Sequence, residues 1–210
     1  MNKNCIRVVL KIIGFLFALQ LLRIGIKSVC LLAIERTDFT DRVASLIAMV
    51  LLTALMLLAA RLKKIKLSVF PKQFGAGYIV FTIIAASLLI STPLLTKDRS
   101  AASLVLLIYS AIVTPVFEEL IFREFVWNKL SMVFKKEWNT YIVVTLLFAV
   151  WHLAYVDAIA FRIETGLINA MVWKMITGLC FGVVLGALRL KTKNSYSTML
   201  LHGMLNIFGR

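Results

Sequence analysis

Seven apolar runs, most of them as long as a bilayer is thick, leave this chain of 210 residues one kind of fold. A helix needs about 20 predominantly apolar residues to cross the hydrocarbon core. Helix is also the only sensible choice there, because an open strand leaves backbone N–H and C=O groups without partners in lipid. The runs are Val8–Ile34, Val43–Ala60, Phe74–Leu95, Ala101–Phe125, Trp138–Val156, Leu167–Leu190 and Tyr196–Phe208. Composition agrees. Hydrophobic residues make up 61% of the chain and charged residues 16%, where a soluble domain has about half and about a quarter. The expected fold class is all-α, a polytopic membrane helical bundle of about seven transmembrane helices. Two runs are irregular. The last is short for a full crossing, and the first is broken by Lys11, Arg23 and Lys27, so its outer third reads as interfacial. Lys3 and Arg7 before an apolar run resemble a signal peptide weakly, but no small-x-small cleavage pattern follows. The run therefore reads as a retained first span.

The formal net charge of +14 lies between the spans, not on a soluble face. It reads as topology signal and contact with anionic lipid, with no nucleic-acid partner. Fifteen Lys and Arg fall on one side: Lys3, Arg7 and Lys11, then Arg61 to Lys72, then Arg123 to Lys136, then Arg189 to Lys193. Six fall on the other: Arg36, Arg42, Lys97, Arg99, Arg162 and Arg210. The positive-inside rule then places the N-terminus in the cytoplasm and the C-terminus outside. The basic connection Arg61–Lys72 reads as solvated and lipid-facing. Cys5, Cys30 and Cys180 lack metal-ligand spacing, and two of them fall inside spans, so neither a disulfide nor a cysteine metal site is expected. Gly178, Gly182 and Gly186 give the sixth span one nearly bare face, which reads as close helix packing.

The chemistry starts at Thr114-Pro115-Val116-Phe117-Glu118-Glu119-Leu120-Ile121-Phe122-Arg123-Glu124. A charged side chain at the bilayer centre costs roughly 2.5–3.5 kcal/mol on translocon scales, so two adjacent carboxylates in a span mark a candidate functional site. Glu119 and Arg123 are four apart and share one helix face; Glu118 is rotated by about 100° and points elsewhere. The chain's two histidines both lie in other apolar runs. His152 shares a face with Phe148, and His202 shares one with Asn206. Each feature has a bland reading: a packed histidine, an amide as interhelical glue, an interfacial charge cluster. Together they put a carboxylate pair, two imidazoles and an amide on three helices that a bundle brings together. Glu and His can position and deprotonate a water, while a second His and an amide donate to an oxyanion. Alternatively Glu118, His152 and His202 could hold zinc. Either is a water-activating hydrolase site, most plausibly for a peptide bond. His-Glu-x-x-His, Gly-x-Ser-x-Gly and Gly-x-Gly-Asp are all absent. One difficulty stands out: on straight helices Glu118 and His152 differ in depth by roughly ten ångströms. Tilt, a later start to the fourth helix, or a kink at Pro115 would close that gap.

Glu-Glu-x-x-x-Arg, Phe-x-x-x-His and His-x-x-x-Asn, in that order on successive membrane helices, resemble the CPBP family of membrane proteases, the CAAX-prenyl-protease-type, bacteriocin-processing and abortive-infection proteins. The resemblance covers about Leu104–Phe208. It implies that Glu118 and His152 activate water, that His202 and Asn206 stabilise the oxyanion, and that Glu119, Arg123 and Phe148 support the site. It leaves open a metal-independent glutamate mechanism or a zinc one. Residues 1–100 then form three N-terminal membrane helices and 101–210 the motif-bearing core of one integrated domain. The expected function is an intramembrane endopeptidase acting on a peptide or membrane-protein substrate, in CAAX-type processing, bacteriocin maturation or self-immunity. The expected place is a membrane, the bacterial plasma membrane by chain length. A non-enzymatic immunity or regulatory protein and a proton-coupled transporter are the competing readings. No internal repeat supports the transporter.

Overall fold

A computed structural model describes residues 3–96 and 99–208, and among them there are helices and no strands. Lys97 and Arg210, both counted in the charge asymmetry, lie outside the described residues. Among the described residues, six helices are long and apolar enough to cross a membrane: Lys3–Leu32, Asp38–Leu62, Ala76–Leu95, Ala101–Ser131, Glu137–Ala160 and Leu167–Thr192. This is an integral membrane protein, a polytopic helical bundle. The seventh helix, Tyr196–Phe208, has 13 residues, about 20 Å at ~1.5 Å per residue, short of the ~30 Å hydrocarbon core. It packs against the third, fourth and sixth helices.

The fourth helix is the centre of the bundle. Every residue from Phe117 to Glu124 is buried. It packs on the second, fifth and seventh helices, and its Phe117, Leu120 and Phe122 join the main apolar cluster with Leu52, Phe148 and Trp151. Its winding changes four times: α-helix Ala101–Ile108, π-helix Tyr109–Val113, α-helix Thr114–Glu119, π-helix Leu120–Val126 and α-helix Trp127–Ser131. Pro115 explains the first π segment. Proline has no N–H to donate, and Thr114 N–H reaches back five residues to the Tyr109 carbonyl. The carbonyls of Ser110 and Ala111 are thereby left for the seventh helix. The Asn206 amide donates to Ser110 at 2.8 Å, and Gly203 lies directly on the Ala111 carbonyl, where a Cβ would collide. The irregular turn and the glycine dock the helix that carries His202.

Three sequence expectations change. The first helix is continuous over Lys3–Leu32, and Arg23 and Lys27 are buried inside the bundle, not interfacial. Arg23 donates to the Ala154 carbonyl at 3.0 Å, and Lys27 pairs with Asp41 at 2.7 Å and Asp157 at 2.8 Å. A charge in a membrane helix turns inward to a partner. Second, the basic connection is docked in part: the Ser68 amide donates to buried Glu124 at 2.8 Å, and the Val69 carbonyl accepts from Tyr196 N–H. Third, the glycine face does more than pack two backbones: Gly178 makes room for the His152 ring.

Candidate active site

The fourth helix presents Glu118 and Glu119 to different neighbours, as their 100° separation requires. Glu118 faces the fifth helix. Its Oε1 accepts from the Tyr155 hydroxyl at 2.5 Å and from the Trp151 indole N–H at 3.3 Å. Its Oε2 is buried, forms no hydrogen bond, and lies 3.8 Å from His202 Nε2. One oxygen is therefore fixed and the other is free.

Glu119 faces the seventh helix and its own next turn. Its Oε1 lies 3.0 Å from His202 Nδ1, and its Oε2 lies 3.1 Å from Arg123 Nε. The Arg123 contact is an ion pair off the line of a hydrogen bond, since Arg123 nitrogens and Glu119 Oε2 have no aligned partner. The Arg123 guanidinium sits instead over the Phe148 ring, 4.3 Å from its centroid. Phe148 is the hub of the site. Its ring meets Phe122, His152 and His202 edge to face at 5.1, 4.8 and 6.0 Å.

His152 begins a short 3₁₀ segment, His152–Tyr155, within the fifth helix. The tighter winding brings Trp151 and Tyr155, on either side of His152, to the same carboxylate. That shared reach answers the depth difficulty: the part of the chain bearing His152 is level with Glu118. His152 Nδ1 lies 2.8 Å from the Phe148 carbonyl. A carbonyl only accepts, so Nδ1 carries the hydrogen and Nε2 keeps its lone pair. The sixth helix closes the other side of the ring. A Cβ on Gly178 would stand 2.6 Å from His152 Nδ1, so the first glycine of the stripe makes room for a histidine. Gly182 and Gly186 meet Thr145 and Tyr141, as ordinary packing partners.

Glu118, Glu119, Arg123, Phe148, His152 and His202 thus belong to one buried cluster. Asn206 sits one turn beyond His202 with its amide nitrogen turned to Ser110. Among the described residues, no three of His, Cys, Asp and Glu are gathered as a metal-binding group. Sequence reasoning missed Trp151 and Tyr155. Tyr155 could have been found, since it stands three residues after His152 on a helix. Arg23 was read only as an interruption of the first apolar run.

A cavity of about 550 Å³ opens on the other side of the seventh helix. Its lining is almost wholly apolar, with Ala86, Leu89, Ile112, Val116, Met199 and Ile207 among its walls. Gly203 and Ala111 also line it, which places it next to the turn that holds His202 and Asn206.

The sequence model described as Type II CAAX prenyl endopeptidase Rce1-like matches residues 100–208, just over half of the chain, and takes in Glu118, Glu119, Arg123, Phe148, His152, His202 and Asn206. The chain belongs to that family and is an intramembrane protease of the CAAX type. Comparison with curated proteins and with solved structures finds no match.

Proposed function

We propose that the chain hydrolyses a peptide bond near the end of a membrane-associated substrate, with Glu118 and His152 activating the water. The observation that carries this reading is the asymmetry of Glu118: Oε1 is held by Tyr155 and Trp151, while Oε2 is buried, without a hydrogen bond, and turned toward His202. A water between Oε2 and the lone pair on His152 Nε2 loses its proton as it attacks the carbonyl carbon. The carbonyl π electrons move to oxygen. His202, held through Nδ1 by Glu119, donates to that oxyanion through Nε2, and Asn206 donates its second amide hydrogen. The proton then passes to the leaving nitrogen as the C–N bond breaks. Glu119, Arg123 and Phe148 act by holding the His202 ring. These steps run on protein groups alone.

The family suggests a lipidated CAAX-type tail, and the apolar cavity beside Gly203 supports a long hydrocarbon group on the substrate. The test is cleavage of a lipidated peptide by protein reconstituted in nanodiscs. Glu118→Gln and His152→Ala are each expected to lower kcat by about 10²–10⁴. Wild-type turnover in both variants would remove the reading. A chelator is expected to leave the wild-type rate unchanged.

A further inference from the structure

One buried cation has no part in the steps above. Arg23, on the first helix, is 2% exposed, and no ion pair among the described residues includes it. A cation inside a membrane bundle ordinarily turns to a carboxylate. Lys27, one turn later on the same face, does so with Asp41 and Asp157. Arg23 donates instead to two neutral oxygens, Gln20 Oε1 through Nε at 2.6 Å and the Ala154 carbonyl through Nη2 at 3.0 Å. Those bonds fix the guanidinium 4.5 Å from the centre of the Tyr155 ring.

The far end of that ring is the hydroxyl that donates to Glu118 Oε1 at 2.5 Å. Ala154 and Tyr155 end the short 3₁₀ segment that begins at His152. Arg23 therefore grips this segment twice, at the carbonyl beside Tyr155 and on the face of its ring. Tyr155 is only half-buried, so packing alone does not fix the ring. Its other polar neighbours stand farther off, the His152 ring at 5.9 Å and Lys174 Nζ at 5.8 Å. A cation over an aromatic face is attracted to its electron density, and groups bonded in series polarise one another. The phenol under Arg23 is thereby a firmer donor to Glu118.

We propose that Arg23 is a positioning residue of the active site. By holding the Ala154 carbonyl and the face of the Tyr155 ring, it keeps the Tyr155 hydroxyl on Glu118 Oε1 and so leaves Oε2 as the oxygen for water. Arg23 lies outside residues 100–208, so the first helix completes a site whose other members all come from the matched part of the chain. For turnover the inference rests on the protease reading; for the geometry of Glu118 it does not.

The first arm of the test needs no substrate. With ζ-¹³C tyrosine in the protein reconstituted in nanodiscs, the resonance lost in Tyr155→Phe is that of Tyr155. Glu118→Gln is expected to move it, because an amide oxygen accepts more weakly than a carboxylate. Arg23→Met is expected to move it the same way, and Lys27→Met to leave it in place. A Tyr155 resonance unmoved in Arg23→Met overturns the inference, whatever cleavage shows, and so does an equal movement in Lys27→Met. The second arm is a double-mutant cycle on cleavage of the lipidated peptide, per folded protein. Arg23→Met is expected to lower kcat about fivefold with KM near wild type, the scale of a desolvated cation–π contact. Arg23→Lys is expected to keep at least about half of the wild-type rate. Tyr155→Phe keeps the ring but has no hydroxyl to aim, so adding Arg23→Met to it is expected to cost less than about twofold more. An equal loss in both backgrounds makes Arg23 a packing residue and overturns the inference, as does an Arg23→Lys rate no better than that of Arg23→Met. Should Arg23→Met not fold, both arms use Arg23→Gln, whose amide is still a donor. The expected resonances without any cleavage count against the protease reading and not against this one.

Discussion

Where the first, second and fifth helices meet, Lys27, Arg36 and Arg162 surround Asp41, with Asp157 beside them. Asp41 Oδ1 takes Lys27 at 2.7 Å and Arg36 at 2.8 Å, and Oδ2 takes Arg162 at 3.1 Å. Asp157 takes Lys27 and Arg36 again. Around Phe148 the arrangement is the reverse. Glu118 Oε2 and both terminal nitrogens of Arg123 are buried and have no hydrogen-bond partner. Both clusters carry several charges in an apolar protein. The closed one ties the first two helices to the fifth and leaves nothing over for a ligand. The open one keeps donors and acceptors unspent, which costs stability but leaves them for a reacting group. The contrast separates charges that hold a membrane bundle together from charges that do chemistry.

The comparison can be broken by mutation. The largest effect is expected at Glu118. Glu118→Gln keeps an oxygen for Tyr155 and Trp151, so the melting temperature in detergent should not fall, while cleavage falls by about 10²–10⁴. A melting temperature that drops with activity would make Glu118 a structural residue like Asp41. Asp41→Asn should do the opposite. It leaves Lys27, 3% exposed, with Asp157 as its one remaining carboxylate, and the loss is expected to stay below the ~3–5 kcal/mol of a fully broken buried pair. Thermal unfolding should show the loss, and the specific activity of the folded fraction should hold. Gly178→Ala is expected next, with about a hundredfold lower kcat, because a Cβ 2.6 Å from His152 Nδ1 displaces the imidazole. Gly186→Ala meets Tyr141 as closely, so it should lower the melting temperature and spare turnover in the folded fraction. Equal kinetic damage at both glycines would show that the stripe only packs. Tyr155→Phe is the smallest change. Losing one hydrogen bond to a carboxylate should lower kcat by about tenfold, with KM and melting temperature near wild type.

Much of this was legible before the fold was known. The long apolar runs announced helices, and the helical period placed Glu119 with Arg123 and Phe148 with His152, because residues four apart are neighbours on a helix however it packs. The three motifs picked out the cluster for the same reason. The glycine stripe was legible as a close contact, but not that a histidine fills it. Arg23 was read only as an interruption and Lys27 as interfacial, since composition along a helix does not say which face meets the lipid.

By itself, then, the sequence determined that this chain is a membrane helical bundle and which carboxylate, imidazole and amide groups lie on each helix face. Both follow from local rules: lipid leaves no alternative to internal backbone hydrogen bonds, and a helix repeats every ~3.6 residues. Only the tertiary structure decided that Tyr155 and Trp151 hold one oxygen of Glu118, that Glu119 turns to His202, and that Arg23 lies over the Tyr155 ring. Those pairings depend on the rotation and depth of each helix relative to the next. The π turns flanking Thr114–Glu119 and the 3₁₀ turn at His152 set those positions, and no spacing in the chain records them.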